Sequence, residues 1–414
     1  MKGRKIIVVG GGAAGLMAAG KAAEAGAESL LLEKMTRCGR KLSITGKGRC
    51  NLTNIAELTD FLEHFGREGR FLRHAFSRFF SRELLDFLEG LGLETVTERG
   101  GRVFPASGHA PDVVAVLLKW LKRCGVSIQS SSAVDSLVLK KGRISGVVVH
   151  GKEFPCHSVV LATGGASYPA TGSTGDGYLL AESAGHTIVS VRPALVPLET
   201  AGHSAARMAE LRLRNIKVAM IVNGRKAAEA FGELEFSDFG VTGPVVLTLS
   251  GRAVDAIGEG KRVVLSIDLK PALGEKKLDA RILRDFASRG KEEISSVLRG
   301  LLPRQMVPVC LDLTRIPPDR LASQVSTKER TRLRGWLKDF RLEITGHRPF
   351  SEAIVTAGGV DTCEVDHKTM ESRLTRGLYI AGELLDVHGD TGGYNLQAAF
   401  STGWLAGLSA ASGS

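Results

Sequence analysis

A short apolar strand running straight into Gly10-x-Gly12-x-x-Gly15 constrains this chain more than any other feature in it. Residues 6–9 are apolar and mostly β-branched, and the glycines open an Ala-rich helical stretch that continues to about residue 25. A second apolar strand at 29–32 ends on Glu33. This is the β-α-β unit of a dinucleotide fold: Gly10 makes the tight turn, Gly12 lets a pyrophosphate approach the backbone, and Gly15 lets the helix pack on the strand. The pyrophosphate sits on a helix N-terminus, where unpaired N–H groups and the helix dipole favour an anion. Glu33 accepts both ribose hydroxyls of an adenosine and repels a 2′-phosphate, so the expected ligand is FAD or NAD and not NADP.

The chain has 414 residues, more than the roughly 250–300 that one hydrophobic core usually covers, so two or three domains are expected. With 43% hydrophobic and 24% charged residues it reads as a folded enzyme, which excludes chain-wide disorder. Its six cysteines form no C-x-x-C pair, so no metal site or thioredoxin-type dithiol is read, and reduced thiols fit a cytoplasmic location. Lys2, Arg4 and Lys5 before an apolar run mimic a signal peptide, but the glycine motif accounts for that run and no stretch reaches membrane-spanning length. A net charge of +11 is spread along the chain without a basic block interleaved with aromatics, which makes nucleic acid a less favoured partner than a small molecule while leaving it open.

Further along, apolar spacing over 61–91 suggests two helices and 113–124 another, before three short strands at 136–140, 144–150 and 152–156 form a meander. A buried strand then breaks into Ala162-Thr163-Gly164, and Gly377-Leu378-Tyr379-Ile380-Ala381 ends on Gly382-Glu383. Three strand ends of this kind in this order distinguish FAD from NAD. The segment Gly389-Asp390-Thr391-Gly392-Gly393-Tyr394-Asn395-Leu396-Gln397 feeds a small-residue helix at 398–408, whose N-terminus suits negative charge developing on a reduced flavin. Between 191 and 350 the texture changes. An inserted domain is expected there, β-barrel over about 191–272 and helical over about 273–340, leaving residues 1–190 and 351–414 as the two parts of the FAD domain.

Gly39-Arg40-Lys41-Leu42, Thr45-Gly46-Lys47-Gly48-Arg49-Cys50-Asn51-Leu52-Thr53-Asn54, Gly101-Arg102-Val103-Phe104-Pro105, Thr356-Ala357-Gly358-Gly359-Val360, Thr369-Met370-Glu371-Ser372 and the 382–397 segment together resemble the BaiN-like (YhiN-like) bacterial NAD(P)/FAD-dependent oxidoreductases, nearly end to end. The resemblance implies an α/β fold: a glutathione-reductase-type, Rossmann-like FAD domain with an inserted β-barrel plus helical domain. It names no substrate. Two departures stand out: relatives usually carry Gly at the place of Lys47, and a Thr-His pair at the place of Ser237 and Asp238.

The residues expected on FAD are Gly10, Gly12, Ala13, Ala14, Gly15, Glu33, Lys34, Arg40, Lys41, Val134, Ala162, Thr163, Gly164, Gly382, Glu383, Gly393, Asn395 and Leu396. Candidates for chemistry are Arg49, Cys50, Asn51, Asp390 and Tyr394, with His388 as a further relay position. The expected function is noncovalent FAD exchanging hydride with a small organic substrate, with NADH or NADPH as a transient reductant. Two alternatives stay open: a flavoprotein acting on a macromolecule such as tRNA, and an oxygen-using amine or alcohol oxidase. Nothing in 191–350 repeats the strand-glycine-helix unit, so a nicotinamide nucleotide has no dinucleotide fold of its own.

Overall fold

In the computed structural model, which describes residues 3–413, the chain divides into two compact units: Met1–Pro193 together with Phe350–Ser414, and Ala194–Pro349. The first is organised on a five-stranded sheet of β1 (Lys5–Val9), β2 (Glu28–Leu32), β3 (Ser127–Gln129), β4 (Ser158–Leu161) and β5 (Leu378–Ile380), in the order β5-β4-β1-β2-β3. Every pairing is parallel, with Ile7 opposite Leu30 and Val159, and Val159 opposite Leu378. Beyond Lys5, β1 and β4 are buried throughout, which is why they read as continuous apolar runs and not as alternating ones. The turn after β1 opens α1 (Ala13–Glu24).

Residues 58–90 form three helices where two were expected: Leu58–Glu63, α2 (Gly69–Arg78) and Ser81–Gly90. Gly66 at φ +60° and Phe79 at φ −153° interrupt them. The apolar spacing runs on across both breaks because Phe61, Phe65, Phe76 and Phe80 join one ring cluster from different elements. The expected meander is antiparallel, built from Val134–Lys140, Arg143–Val149 and Lys152–Pro155. The C-terminal helix α3 spans Tyr394–Ser412 and so starts directly on the glycine turn, four residues before 398.

The second unit holds a closed barrel, in spatial order Leu198–Thr200, Gly240–Thr242, Arg225–Phe236, Arg212–Val222, Val263–Asp268 and Phe340–His347. Val263–Asp268 alternates buried and half-buried positions, so one face fills the interior. The barrel does not end near 272: Phe340–His347 closes it after the helices Glu275–Ser288, Met306–Thr314 and Thr327–Lys338. A further helix, Pro244–Gly258, belongs to the stretch read as purely β. Among the described residues no helix is long and apolar enough to cross a membrane.

The first unit depends on close backbone packing of α1 against α3. A Cβ on Gly403 would lie 2.2 Å from the Ala14 carbonyl oxygen, and one on Gly407 would lie 2.2 Å from that of Ala18. Helix propensity alone favours Ala over Gly by about 1 kcal/mol, whereas overpacking costs about 1–3 kcal/mol and here strikes main chain that cannot rotate away. Gly407→Ala is therefore expected to lower the unfolding free energy of the first unit by about 1–2 kcal/mol in urea titrations. A gain in stability would show that the two helices are not in backbone contact.

Candidate functional site

Gly10 sits at φ +103°, and a Cβ there would lie 2.5 Å from the Ala162 carbonyl oxygen; a Cβ on Gly15 would lie 1.8 Å from the carbonyl oxygen of Gly10. Gly12 differs: no atom lies within 4 Å of its Cβ position. It caps α1 without a side-chain hydrogen bond, so the helix start is left open on the side of Gly12. The Glu33 carboxylate accepts the N–H groups of Gly11 and Met35, both at 2.7 Å, which holds it beside that helix end. Val134 starts the strand that follows Ser131 and Ser132, whose N–H groups bond the carbonyls of Met35 and Glu33. Lys34 turns to Thr174 and Asp176 (2.6 and 2.9 Å), and Arg40 donates to the Ala170 carbonyl at 3.1 Å.

The ends of β4 and β5 meet this turn. Ala162 donates to the Val9 carbonyl, and the Gly382 N–H donates to Thr402 Oγ1 at 3.0 Å, which ties β5 to α3. A Cβ on Gly382 would lie 2.8 Å from that of Ala14. Glu383 is a hub: it accepts from Lys41 Nζ (2.7 Å), the Ser167 hydroxyl (3.0 Å) and the Thr356 N–H (2.8 Å). Thr356 Oγ1 in turn accepts the N–H groups of Ala166 and Ser167. Lys41 and Glu383 thus pair with each other across 342 positions of chain. Ser167 and Thr402 were not singled out from the sequence, because a hydroxyl residue carries no spacing signal of its own, and Thr356 stood there only at the head of a family segment, with no role assigned.

The 45–54 run and the 389–397 turn also come together. Asn54 Nδ2 donates to the Gly392 carbonyl at 3.2 Å, and Gly393, at φ +102°, sits where a Cβ would meet the Thr53 carbonyl at 2.4 Å. Asn395 staples the turn, accepting from the Gly389 N–H (2.7 Å) and donating to the Gly389 and Asp390 carbonyls. Asp390 accepts a 2.8 Å bond from His64 Nδ1–H, and the His64 ring stacks on Tyr394 with centroids 3.9 Å apart. His64 was missed in the sequence, lying in a helical region remote from every motif. Burial, then Asp390 and Asp60, push the Tyr394 phenol up, so it stays protonated at neutral pH. Leu396 lies in the first turn of α3, half-buried.

The Arg49-Cys50-Asn51 candidates do not share one environment. Arg49 is exposed, pairs with Glu98 at 2.6 Å and lies over the Phe104 ring. Cys50 is fully buried, and burial pushes its thiol up to about 12 against the opposing hydrogen bond to Thr45, so no thiolate is available at neutral pH. Asn51 Oδ1 and Thr163 Oγ1 are buried with no hydrogen-bond partner among the described residues. Such groups are costly unless a ligand or water satisfies them. Thr163 Oγ1 lies against Gly177, whereas the Asn51 oxygen, together with the open position at Gly12, the uncapped α1 N-terminus and the adjacent Glu33 carboxylate, fits an FAD.

Lys47 occupies the left-handed region at φ +58°, ψ +41°, between Gly46 at φ +59° and Gly48 at φ +84°. That conformation costs an L-residue about 1–2 kcal/mol, less the extra chain entropy glycine loses on folding, about 0.5–1 kcal/mol. Lys47→Gly is expected to raise stability by about 0.5–1 kcal/mol, read as an increased denaturant midpoint. An unchanged or lower midpoint would show that the lysine side chain makes a compensating contact.

A family model described as the HI0933-like protein Rossmann domain matches residues 4–409. The 3-dehydro-bile acid delta(4,6)-reductase of Clostridium scindens is 37% identical over 410 residues, covering 98% of this chain and 99% of that protein. The ribosomal RNA dihydrouridine synthase of Escherichia coli is 29% identical over 402 residues, covering 96% of each. Among solved structures, 3-ketosteroid-delta4-(5alpha)-dehydrogenase from Rhodococcus jostii shares the fold at a TM-score of 0.52 and 15% identity, covering 99% of this chain and 97% of that one. With the match running over nearly its whole length, this chain belongs to the HI0933-like Rossmann-domain family.

Proposed function

We propose that this chain is an FAD-dependent oxidoreductase that exchanges hydride between a tightly held, noncovalent flavin and a small organic substrate. The observation that carries the reading is the convergence of the open Gly12 position, Glu33, the Thr163-Gly164 and Gly382-Glu383 strand ends and the 392–395 turn within one unit of the fold. FAD supplies the hydride chemistry; the chain supplies binding, orientation and electrostatics. The α1 N-terminus holds the pyrophosphate and Glu33 the adenosine ribose. Lys41 and Glu383, neutralising each other, keep the β5 end rigid. The glycine-capped N-terminus of α3 faces negative charge developing on the ring.

Of the five candidates for chemistry, Asn51 and Asp390 suit the reacting region best: Asn51 through its unsatisfied oxygen, Asp390 as the acceptor that orients His64. Tyr394 packs as a neutral phenol, Arg49 anchors its loop on Glu98, and Cys50 fills the core as a thiol. The bile acid reductase relative supports a small, largely apolar substrate. The ribosomal RNA dihydrouridine synthase relatives favour a second reading, in which the substrate is a base in RNA and the net charge of +11 serves binding. We place the reaction in the cytoplasm, where the six free cysteines remain reduced.

Anaerobic stopped-flow reduction of the bound FAD by NADH and NADPH tests the reading. Lacking a second glycine turn for its pyrophosphate, the nucleotide is expected to show an apparent Kd above about 10 μM, equivalent to roughly −7 kcal/mol or weaker, and to bind less tightly as salt rises. Saturation below 1 μM unaffected by salt would reveal a dedicated nicotinamide fold. Reduction by neither nucleotide, with hydrogen peroxide formed from an amine or alcohol in air, would make the protein an oxidase. Salt-sensitive RNA binding without turnover of small acceptors would favour the RNA reading.

A further inference from the structure

A second concavity, of about 370 Å³, lies between the start of α2 and the 362–373 segment. Arg67, Arg70 and Arg373 line it together with His367, Phe71 and Cys363, and Glu68 is the lone carboxylate in its wall. None of these residues belongs to the flavin cradle. The three guanidiniums form no ion pair or side-chain hydrogen bond among the described residues. Some arginines on other helices do pair with carboxylates, as Arg281 with Asp285 at 3.0 Å and Arg330 with Asp279 at 3.2 Å.

Positive charge outnumbers negative in this wall: Arg67 and Arg70 flank Glu68, the N-cap residue of α2, at the helix end that disfavours cations, and the first turn itself carries no acid. His74 faces His367 with ring centroids 6.3 Å apart, and burial, followed by His367, Arg78 and Lys368, holds its imidazole below the usual range against the opposing pull of Asp366. An anion seated in the concavity offsets the positive charge that Arg67, Arg70 and Arg373 bring to its wall.

We propose that this pocket binds the phosphate of a soluble, nucleotide-sized phosphorylated ligand. Guanidinium forks match phosphate oxygens bidentately, and three of them line this one concavity. The volume falls within the range of small-molecule sites, about 300–1,000 Å³, and the half-buried Phe71 offers an apolar wall to the rest of the ligand. The assignment does not depend on which substrate meets the flavin. It adds a second site to the same unit, and a nicotinamide nucleotide is one ligand whose phosphates it suits.

Cys363 makes the site testable, being the exposed thiol among the six cysteines and part of the pocket wall. With the FAD-loaded protein, inorganic pyrophosphate is expected to slow maleimide labelling of Cys363 saturably, as followed by mass spectrometry. Titration calorimetry should show its binding weakened about tenfold or more in Arg70→Ala/Arg373→Ala, the scale of lost charge-assisted hydrogen bonds. Arg373→Ala alone, at an exposed position, should show a smaller loss, while Arg225→Ala, in the other unit, should bind as the parent does; flavin absorbance and Tm verify that each variant is folded. Competition by ADP, NADH or NADPH would identify the source of the phosphate. Absence of protection by pyrophosphate, equal binding by the double variant, or protection by a single-stranded RNA but by no free phosphate compound would overturn the proposal.

Discussion

One main-chain contact organises the first unit: Gly15 in α1 rests on the carbonyl of Gly10, whose own backbone rests on Ala162 at the end of β4. No side chain fits at either position, so the turn, the helix and two strands are positioned together by the absence of two Cβ atoms. The same helix carries the effect to the C-terminus, because Ala14 and Ala18 lie under Gly403 and Gly407 of α3. Residues from both ends of the chain therefore reach one place with little freedom in how they do so. A site that must hold a large cofactor in one pose needs this kind of preorganisation, since loosely held donors would lose on binding what they gain in contact.

Polar groups finish what the backbone contact starts. Glu33 and Glu383 are each held by several donors, and in both cases the donors come from separate segments. The carboxylates consequently join loops to strands, and their charge is fixed in direction before any ligand arrives. The 45–54 run plays the corresponding role at the other side of the cradle, where Asn54 and Thr53 meet the Gly392-Gly393 turn. This explains physically why two motifs separated by more than three hundred positions carry the family resemblance together. They form one structural element.

Much of this was legible in the sequence, for identifiable reasons. β1, the glycine turn and Glu33 were readable because a buried parallel strand, a positive-φ glycine and an acid at a strand end each leave a residue-level mark. The small-residue character of α3 was visible, but its start at Tyr394 was not, since an aromatic after two glycines looks like loop until Gly393 is seen as the cap. The barrel's last strand, Phe340–His347, was hidden because its partner strands precede a long helical excursion, and no local pattern records which strand a segment pairs with. His64 and Thr356 act through contacts over large sequence separations, which single residues cannot announce. Cys50 has no cysteine near it in the sequence, which favours a packed thiol over a redox partner, but the completeness of its burial comes from tertiary contacts that no local pattern records.

The central claim is that the α1 N-terminus is shaped for the pyrophosphate of FAD, and Gly12 tests it most directly. Its backbone, at φ −84° and ψ −169°, is accessible to any L-residue, and its Cβ position is empty. Gly12→Val therefore leaves the polypeptide fold unstrained while filling the space through which the cofactor approaches. Fluorescence titration of the deflavinated variant with FAD, alongside its denaturant midpoint, is the measurement. The account predicts an unchanged midpoint in the absence of FAD and an affinity for FAD reduced by two orders of magnitude or more, on the order of 3 kcal/mol. Undiminished FAD affinity in a folded Gly12→Val protein would contradict it.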